Sequence, residues 1–269
     1  MGCGSSSSGS SSSAPSTVAA STTSGNVTDA ATIQGNELSE MPKAPEPSGQ
    51  APTLSGTSLA DERTYLTAVF NDAQAFWKNE FAAANQTFAP ATLTLFKQAV
   101  ESSGCGAQAD VGPFYCGANH GIYLDLRFFQ LLTQRFGIGR FAQAYIVGHE
   151  FGHHIQNQIG LQKRLALADQ QDPAGRNARS VRNELQADCL AGAWAHSVYG
   201  RDQLTQDDFA QALKTAQVIG DDFQRLMAGH PMERELWTHG SSAQRQHWLT
   251  TGFTTGDPGA CDTFTETTP

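Results

Sequence analysis

Two histidines four residues apart are the side chains of this chain best suited to chemistry. His149 and His153 enclose Glu150 in a His-Glu-x-x-His pattern. Residues at positions i and i+4 of a helix lie on the same face, so both imidazoles can reach one metal ion. Imidazole is a common ligand of zinc, and a glutamate beside it can take a proton from an activated water. The pattern therefore predicts a zinc site with Glu150 as the general base.

The surrounding residues favour this interpretation over the alternative, two histidines on a solvated helix face. The preceding turns are apolar, with Phe141, Ala144 and Tyr145 among them. Gly152 lies within the same predicted helix, where a glycine costs about 1 kcal/mol relative to alanine. We therefore expect another element to pack closely against this face of the helix.

A catalytic zinc has three protein ligands and one open position. Glu184 lies on the next long predicted helix, 31 residues after His153, and Asp188 follows it by one turn. We predict Glu184 as the third ligand and Asp188 as the acceptor of a ligand histidine's free ring N–H. The alternative, a solvated acidic edge, is disfavoured because this helix is strongly apolar and its carboxylates need a cation nearby. Three other candidates for the third ligand stay open: Asp125, His196 and His239.

The elements that must hold these residues are mostly helices. Apolar residues at helical spacing predict helices at 61–84, 127–136, 141–159, 181–198, 205–218 and 242–252. Alternating apolar and polar residues predict short strands at 91–96 and 121–126, whereas 105–116 and 162–180 are predicted to be irregular. The predicted fold class is α+β, mostly helical, with a small β-sheet.

The first 60 residues differ in composition from the rest of the chain. They contain no aromatic residue and are rich in Ser, Gly and Pro, which predicts a disordered tether over 1–60 and a single domain over 61–269. The start of the chain resembles the end of a bacterial lipoprotein signal, so Cys3 is a candidate for lipidation. A plain disordered linker is the alternative.

Charge and hydropathy exclude some partners. The formal net charge is −9 and there is no cluster of Lys and Arg, which argues against nucleic acid. No apolar run reaches the roughly 18 residues that a membrane-spanning helix needs. We therefore expect membrane association only through an N-terminal lipid.

Four cysteines follow the tether. An even number fits an oxidising compartment, and we predict disulfides between Cys105 and Cys116 and between Cys189 and Cys261. Free buried thiols are the alternative. A zinc site made of cysteines is disfavoured because no Cys-x-x-Cys spacing occurs.

Several segments together resemble the bacterial neutral zinc metallopeptidases of the YpfJ type. The similarity runs in order from about residue 61 to 264 and rests on segments 112–116, 123–125, 149–157, 184–192 and 238–245. The resemblance implies a zincin-like metallopeptidase fold, one zinc ion and hydrolysis of peptide bonds. It also implies an extracytoplasmic location, tethered to the bacterial cell envelope or secreted.

The resemblance implies further roles around the metal. A strand beside the metal helix pairs with extended substrate in zincin-like peptidases, and residues 122–126 are the candidate. His239 is the first candidate donor to the oxyanion; Tyr123 and Arg245 are the next candidates and are also candidate substrate-binding residues. His239 bracing the last helix is the alternative. His154 is predicted to be a hydrogen-bonded structural histidine.

The predicted partner is a peptide or protein substrate. Two other functions compete with a general peptidase: a non-catalytic zinc-binding module of the cell envelope, and a zinc amidase or peptidase acting on cell-wall peptides. The sequence indicates neither a cleavage specificity nor an oligomeric state.

Overall fold

A computed structural model describes residues 38–39, 41, 59–102, 104–109, 112–137 and 139–265. Within these ranges the chain is mostly helical and carries a small sheet, which confirms the predicted α+β class. The helices are α1 (Leu59–Ala83), α2 (Leu126–Phe136), α3 (Arg140–Gln158), α4 (Leu161–Gln171), α5 (Arg176–Gly200), α6 (Gln206–Val218), α7 (Asp221–Ala228) and α8 (Ser242–Thr255). The strands are β1 (Thr92–Phe96), β2 (Ala99–Ser102), β3 (Gly106–Ala109), β4 (Phe114–Cys116) and β5 (Gly121–Asp125).

The main sheet has three strands in the order β1-β5-β4. Strand β1 runs parallel to β5, and β4 runs antiparallel to it. The structure does not favour the prediction that residues 122–126 pair with an extended substrate, because β5 is the central strand: β1 pairs with it along 121–125 and β4 pairs with it along 121–123. In the described part of the chain, β4 is instead the edge strand on the side of α3.

Helices α3 and α5 lie together at the centre of the fold. Their close approach depends on Gly152, because a Cβ at this position would lie 2.7 Å from the Cα of Ala187 on α5. The expected packing partner of Gly152 is therefore confirmed. Helix α8 packs on the other side of α5, where Gly252 lies against the backbone of Cys189. Buried aromatic and aliphatic side chains such as Phe151 and Trp194 complete this core.

Three local predictions differ from the structure. Residues 162–180, predicted to be irregular, contain α4, which buries a narrow stripe, Leu161, Leu165 and Ala168, beside Phe264. Helix α7 has no predicted counterpart; it spans only eight residues, and Phe223 packs partly buried against the main core. The segment 105–116 contains β3 and β4, which are too short to produce an alternating pattern.

Two residues of the predicted tether lie in the main core: Leu38 and Met41 are both buried there. The rest of the tether, including Cys3, lies outside the described residues. The division at residue 60 and the lipidation of Cys3 therefore stay predictions. Among the helices described, none has the length and apolar character to cross a membrane.

Both predicted disulfides are present. Cys105, just before β3, is bonded to Cys116 at the end of β4, and the Cα atoms lie 6.0 Å apart. Cys189 on α5 is bonded to Cys261 in the C-terminal segment, with a Cα separation of 5.5 Å. Disulfides are typical of extracytoplasmic proteins, in which they hold chain segments together in an oxidising environment.

Candidate metal centre

The structure brings three predicted ligands together between α3 and α5. Nε2 of His149 lies 3.1 Å from Oε2 of Glu184, and Nε2 of His153 lies 3.4 Å from Oε1 of the same carboxylate. The candidate ligand atoms of the three residues all lie within 4.8 Å of one another. Two imidazole nitrogens and one carboxylate oxygen form a donor set found in catalytic zinc sites. The site therefore fits a divalent metal ion.

Asp188 fixes the ring of His149 from the side away from Glu184. Its Oδ1 accepts a 2.8 Å hydrogen bond from Nδ1 of His149. Because a carboxylate only accepts, Nδ1 carries the hydrogen and Nε2 is left to bind a metal. Arg245 donates two bonds of 2.8 Å to Asp188, and the Tyr145 hydroxyl donates one of 2.6 Å. Asp188 is thus held on several sides in a fully buried position.

The charges of the site favour a cation. Burial lowers the pKa of His149, but the Asp188 and Glu184 carboxylates raise it to about 10 overall. Burial raises the pKa of Glu184, but His153 and His149 hold it well below its usual range. Arg245 forms an ion pair with Asp188, whereas the Glu184 carboxylate lies against the two imidazoles, so it favours a positive charge there, either a proton on a ring or a bound metal ion.

Glu150 lies beside the ligands, also on α3. Its side chain lines the cleft, yet only 6% of the residue is exposed, and Oε2 is buried without a hydrogen-bond partner. Burial raises the pKa of Glu150, although His153 and His149 oppose the change. A carboxylate that has a raised pKa and one oxygen without a hydrogen-bond partner is suited to accepting and donating a proton at neutral pH. This arrangement also fits a metal site that activates water.

The metal centre lies in a cleft of about 570 Å³. Strand β4 contributes Phe114 and Tyr115 to one part of the lining, next to Pro113, and α2 contributes Phe128. Beyond the metal site, the lining also includes Tyr145, Ile146, Ile219, Asp221, Gln224, His239 and Arg245. The lining is largely apolar away from the metal, which suits the side chains of a peptide.

His239 lies at this cleft with about half of its side chain exposed. Its Nδ1 is 3.4 Å from Oδ1 of Asp221, and Oδ2 of Asp221 accepts the backbone N–H groups of Thr238, His239 and Gly240 at 2.6–2.9 Å. Burial raises the pKa of Asp221, but the contacts with His239 lower it overall. Asp221 therefore fixes the loop that carries His239.

The two candidate substrate-binding residues have different surroundings. Arg245 lines the cleft, but its guanidinium is buried against Asp188. Tyr123 is buried and does not itself line the cleft: its hydroxyl accepts a 2.7 Å bond from Asn119, and its ring stacks on the lining residue Phe114. This placement does not favour direct substrate binding by Tyr123.

The remaining candidates for the third ligand lie apart from the metal cluster. Asp125 caps α2 through the N–H of Arg127 and forms an ion pair with the same residue. His196 makes a 2.7 Å hydrogen bond from Nδ1 to the carbonyl of Phe253. His239 lines the cleft but is held by Asp221 and is not part of the cluster.

His154 points away from the metal. Its Nε2 donates to the Ala89 carbonyl at 2.9 Å, and its Nδ1 lies 3.1 Å from the Tyr115 hydroxyl. Burial lowers the pKa of His154 to about 4, so the ring is neutral at physiological pH. These contacts match the predicted structural role.

Sequence reasoning missed Asp221, Tyr145 and Gln156 as neighbours of the site. Tyr145 precedes His149 by one helical turn and Gln156 follows His153 by about one turn, so helical spacing contained a signal for both. No local signal pointed to Asp221, because its contacts with His239 form across a loop.

Comparison with known proteins agrees with this geometry. Residues 5–264 match the sequence profile of the family described as "Putative neutral zinc metallopeptidase". The chain is 36% identical over 238 residues to "Uncharacterized protein YpfJ" of Escherichia coli K12, covering 87% of this chain and 83% of that protein. It is 40% identical over 212 residues to "Uncharacterized protein Rv2575" of Mycobacterium tuberculosis, covering 74% and 69% respectively. No solved structure matches the chain significantly. With these matches and this cluster of ligands, the chain belongs to the neutral zinc metallopeptidase family.

Proposed function

We propose that this protein is a zinc-dependent peptidase that hydrolyses peptide bonds in the cleft, with Glu150 as the general base. One observation carries the proposal: the unpartnered oxygen of Glu150 lies beside the convergent side chains of His149, His153 and Glu184. A purely structural metal site has no need of an additional buried carboxylate in an open cleft.

His149, His153 and Glu184 would hold the zinc ion. The three residues leave a coordination position for a reactant, as catalytic zinc sites do. When bound, zinc supplies a Lewis acid that lowers the pKa of water and polarises a carbonyl group.

The proton transfers fall to Glu150. Its carboxylate accepts a proton from the attacking water at Oε2, and its raised pKa then allows it to donate that proton to the leaving amine. General acid–base catalysis of this kind contributes about 10²–10⁴-fold to the rate.

Two other features of the cleft support peptide hydrolysis. His239, held by Asp221, is the proposed donor to the oxyanion that develops on the substrate carbonyl. Strand β4 is proposed to pair with an extended substrate, because β5 occupies only one of its edges and Tyr115 lines the cleft. This assignment replaces the role predicted for β5.

We also propose a location in the cell envelope. The two disulfides support an extracytoplasmic domain. A small residue before Cys3 and the Ser-rich sequence after it support a lipid anchor that holds the domain off a membrane. The proposed substrate is accordingly a peptide or protein outside the cytoplasm.

The Glu150→Gln variant tests the proposed activity. It removes the base while preserving side-chain shape, so we expect zinc content to be unchanged and cleavage of an unfolded protein to fall by at least about 100-fold. Glu233→Gln, at an exposed acid, is the control that keeps full activity. Cleavage that persists in Glu150→Gln would exclude Glu150 as the base.

The same assay separates the competing functions. A zinc-loaded wild type that cleaves neither unfolded protein nor purified cell-wall peptides would favour a non-catalytic envelope module. Cleavage of wall peptides alone would favour a cell-wall amidase or peptidase.

A further inference from the structure

We propose that Gln156 and Gln186 form a hydrogen-bond relay that holds the ring of His153 in the orientation needed for metal binding. The relay ends on the backbone carbonyl of Cys261, in the C-terminal segment. The proposal rests on the metal site of the proposed function, but not on peptide hydrolysis.

The relay consists of three successive contacts. Nδ1 of His153 lies 2.9 Å from Oε1 of Gln156, and Nε2 of Gln156 donates to Oε1 of Gln186 at 3.1 Å. Nε2 of Gln186 donates to the Cys261 carbonyl at 3.0 Å. Both glutamines are fully buried, so water does not compete for these bonds. The contacts join α3, α5 and the C-terminal segment in one path.

Backbone carbonyls set the direction of the relay. Gln156 Nε2 also lies 2.7 Å from the carbonyl of Asn183, which only accepts, so the NH₂ group of Gln156 must face α5. Its Oε1 then faces His153, and an amide oxygen also only accepts. Nδ1 of His153 must therefore carry the hydrogen, which leaves the lone pair of Nε2 for a metal. The orientation of Gln186 is fixed in the same way by Cys261.

The two ligand histidines are thus oriented by different chemistry. Asp188 fixes His149 with a charged acceptor, whereas Gln156 fixes His153 with a neutral one. A second carboxylate at the Gln156 position would add negative charge to a site that already contains Asp188 and Glu184. A neutral amide gives the same ring orientation without that charge.

The far end of the relay is firmly attached. Cys261 is disulfide-bonded to Cys189, which directly follows Asp188 on α5. Thr263 strengthens the attachment, because its hydroxyl donates to the Arg182 carbonyl at 2.7 Å. The C-terminal segment therefore serves as a fixed support for the relay.

Zinc affinity of the Gln156→Met variant tests the proposal. Methionine keeps the side-chain length but removes the acceptor, and loss of such an outer contact typically weakens metal binding about 10- to 100-fold. We expect a rise of that size in the zinc Kd, measured by competition with a chromophoric chelator. An unchanged Kd would overturn the relay.

Gln158→Met is the matched control. Gln158 is on the same helix and accepts a 2.7 Å bond from the Ala89 N–H, but it contacts His154 and not a ligand. We expect its zinc Kd to stay within about threefold of wild type, even where its thermal midpoint falls as far as that of Gln156→Met. Equal loss of affinity in the two variants would contradict a specific relay.

Two further measurements exclude a merely structural role. In the zinc-loaded wild type, long-range ¹H–¹⁵N spectra should place the His153 ring hydrogen on Nδ1, and a hydrogen on Nε2 would overturn the proposal. Gln186→Met should weaken zinc binding as well, and it provides the affinity test should Gln156→Met fail to fold.

The proposed function and the relay fail in different ways. A wild type that binds zinc with the predicted order of affinities but cleaves no peptide contradicts only the peptidase. A wild type without zinc affinity contradicts both.

Discussion

The Asp188 carboxylate accepts a 2.8 Å hydrogen bond from Nδ1 of His149, and the two residues lie on different helices. This contact joins α5 to α3 at the same level as the metal ligands. One helical turn earlier on α5, Glu184 faces the opposite nitrogen of the same ring. The close approach of the two helices at Gly152 permits both contacts. The geometry of the metal site therefore depends on how these helices pack.

Glu184→Ala should remove most of the bound zinc while preserving the fold. The substitution deletes the only carboxylate in the described cluster of candidate ligands, and two imidazoles alone bind the metal weakly. Zinc per protein, measured by inductively coupled plasma mass spectrometry after dialysis, should fall well below one. The far-UV circular dichroism should stay close to that of wild type.

Glu233→Ala serves as the control for this loss, because Glu233 is exposed and makes only a long ion pair with Arg225. It should retain one zinc ion. Full zinc occupancy in Glu184→Ala would assign the third ligand to another residue.

Arg245→Met should destabilise the fold by about 3–5 kcal/mol, because it leaves the Asp188 charge buried without its partner. Urea unfolding at neutral pH measures the change. Arg176→Met removes one partner of Asp169 at a site where the arginine is 62% exposed and Arg179 still pairs with that carboxylate, so it should cost less than about 1 kcal/mol. Similar losses of unfolding free energy in the two variants would show that the buried ion pair contributes no more to stability than the exposed one.

Gly152→Ala should cost more stability than Gly148→Ala on the same helix. At position 152 the new Cβ would meet the backbone of Ala187 at 2.7 Å, so α3 and α5 must separate, at about 1–3 kcal/mol. At position 148 it would meet the Trp194 side chain at 3.0 Å, and a side chain can shift. The thermal unfolding midpoints of the two variants measure this difference in stability. A larger fall in the midpoint for Gly148→Ala than for Gly152→Ala would contradict this packing.

The free energy of unfolding should fall as the pH is lowered from about 6.5 to about 4, partly through His154. Burial lowers the pKa of this ring from its ordinary value of 6.5 to about 4, so in this window the unfolded chain binds one more proton. The loss is about 1.4 kcal/mol per pH unit from this residue.

Urea unfolding at several pH values, with a chelator present to exclude effects of metal release, measures this slope. His154→Gln should flatten it between pH 6.5 and 4. His247→Gln, at an exposed residue, should leave it unchanged. An equally steep slope in His154→Gln would show that this ring is not the source.

Local spacing was enough to predict each pair of side chains in the candidate metal centre. His149 and His153 share a face of α3, and Glu184 and Asp188 share a face of α5, so each pair follows from the helical period alone. The apolar residues around each pair also indicated that the helices are buried. The long helices were predictable for the same reason, since each buries a broad face.

Contacts between distant segments were not predictable in this way. The central position of β5 depends on its pairing with both β1 and β4, which no local pattern encodes. The hydrogen bond from Gln186 to Cys261 likewise spans 75 residues. Helix α7 has an apolar stripe, Phe223, Leu226 and Met227, but it spans only eight residues and none of them is fully buried, so the pattern is too short to stand out in a sequence.

The most direct test of the metal site is an anomalous difference map from crystals of the zinc-loaded protein, recorded on both sides of the zinc absorption edge. We predict one strong peak about 2.0–2.2 Å from Nε2 of His149, Nε2 of His153 and a carboxylate oxygen of Glu184. A zinc-loaded crystal with no peak between these three side chains, or with its peak elsewhere, would contradict the central claim.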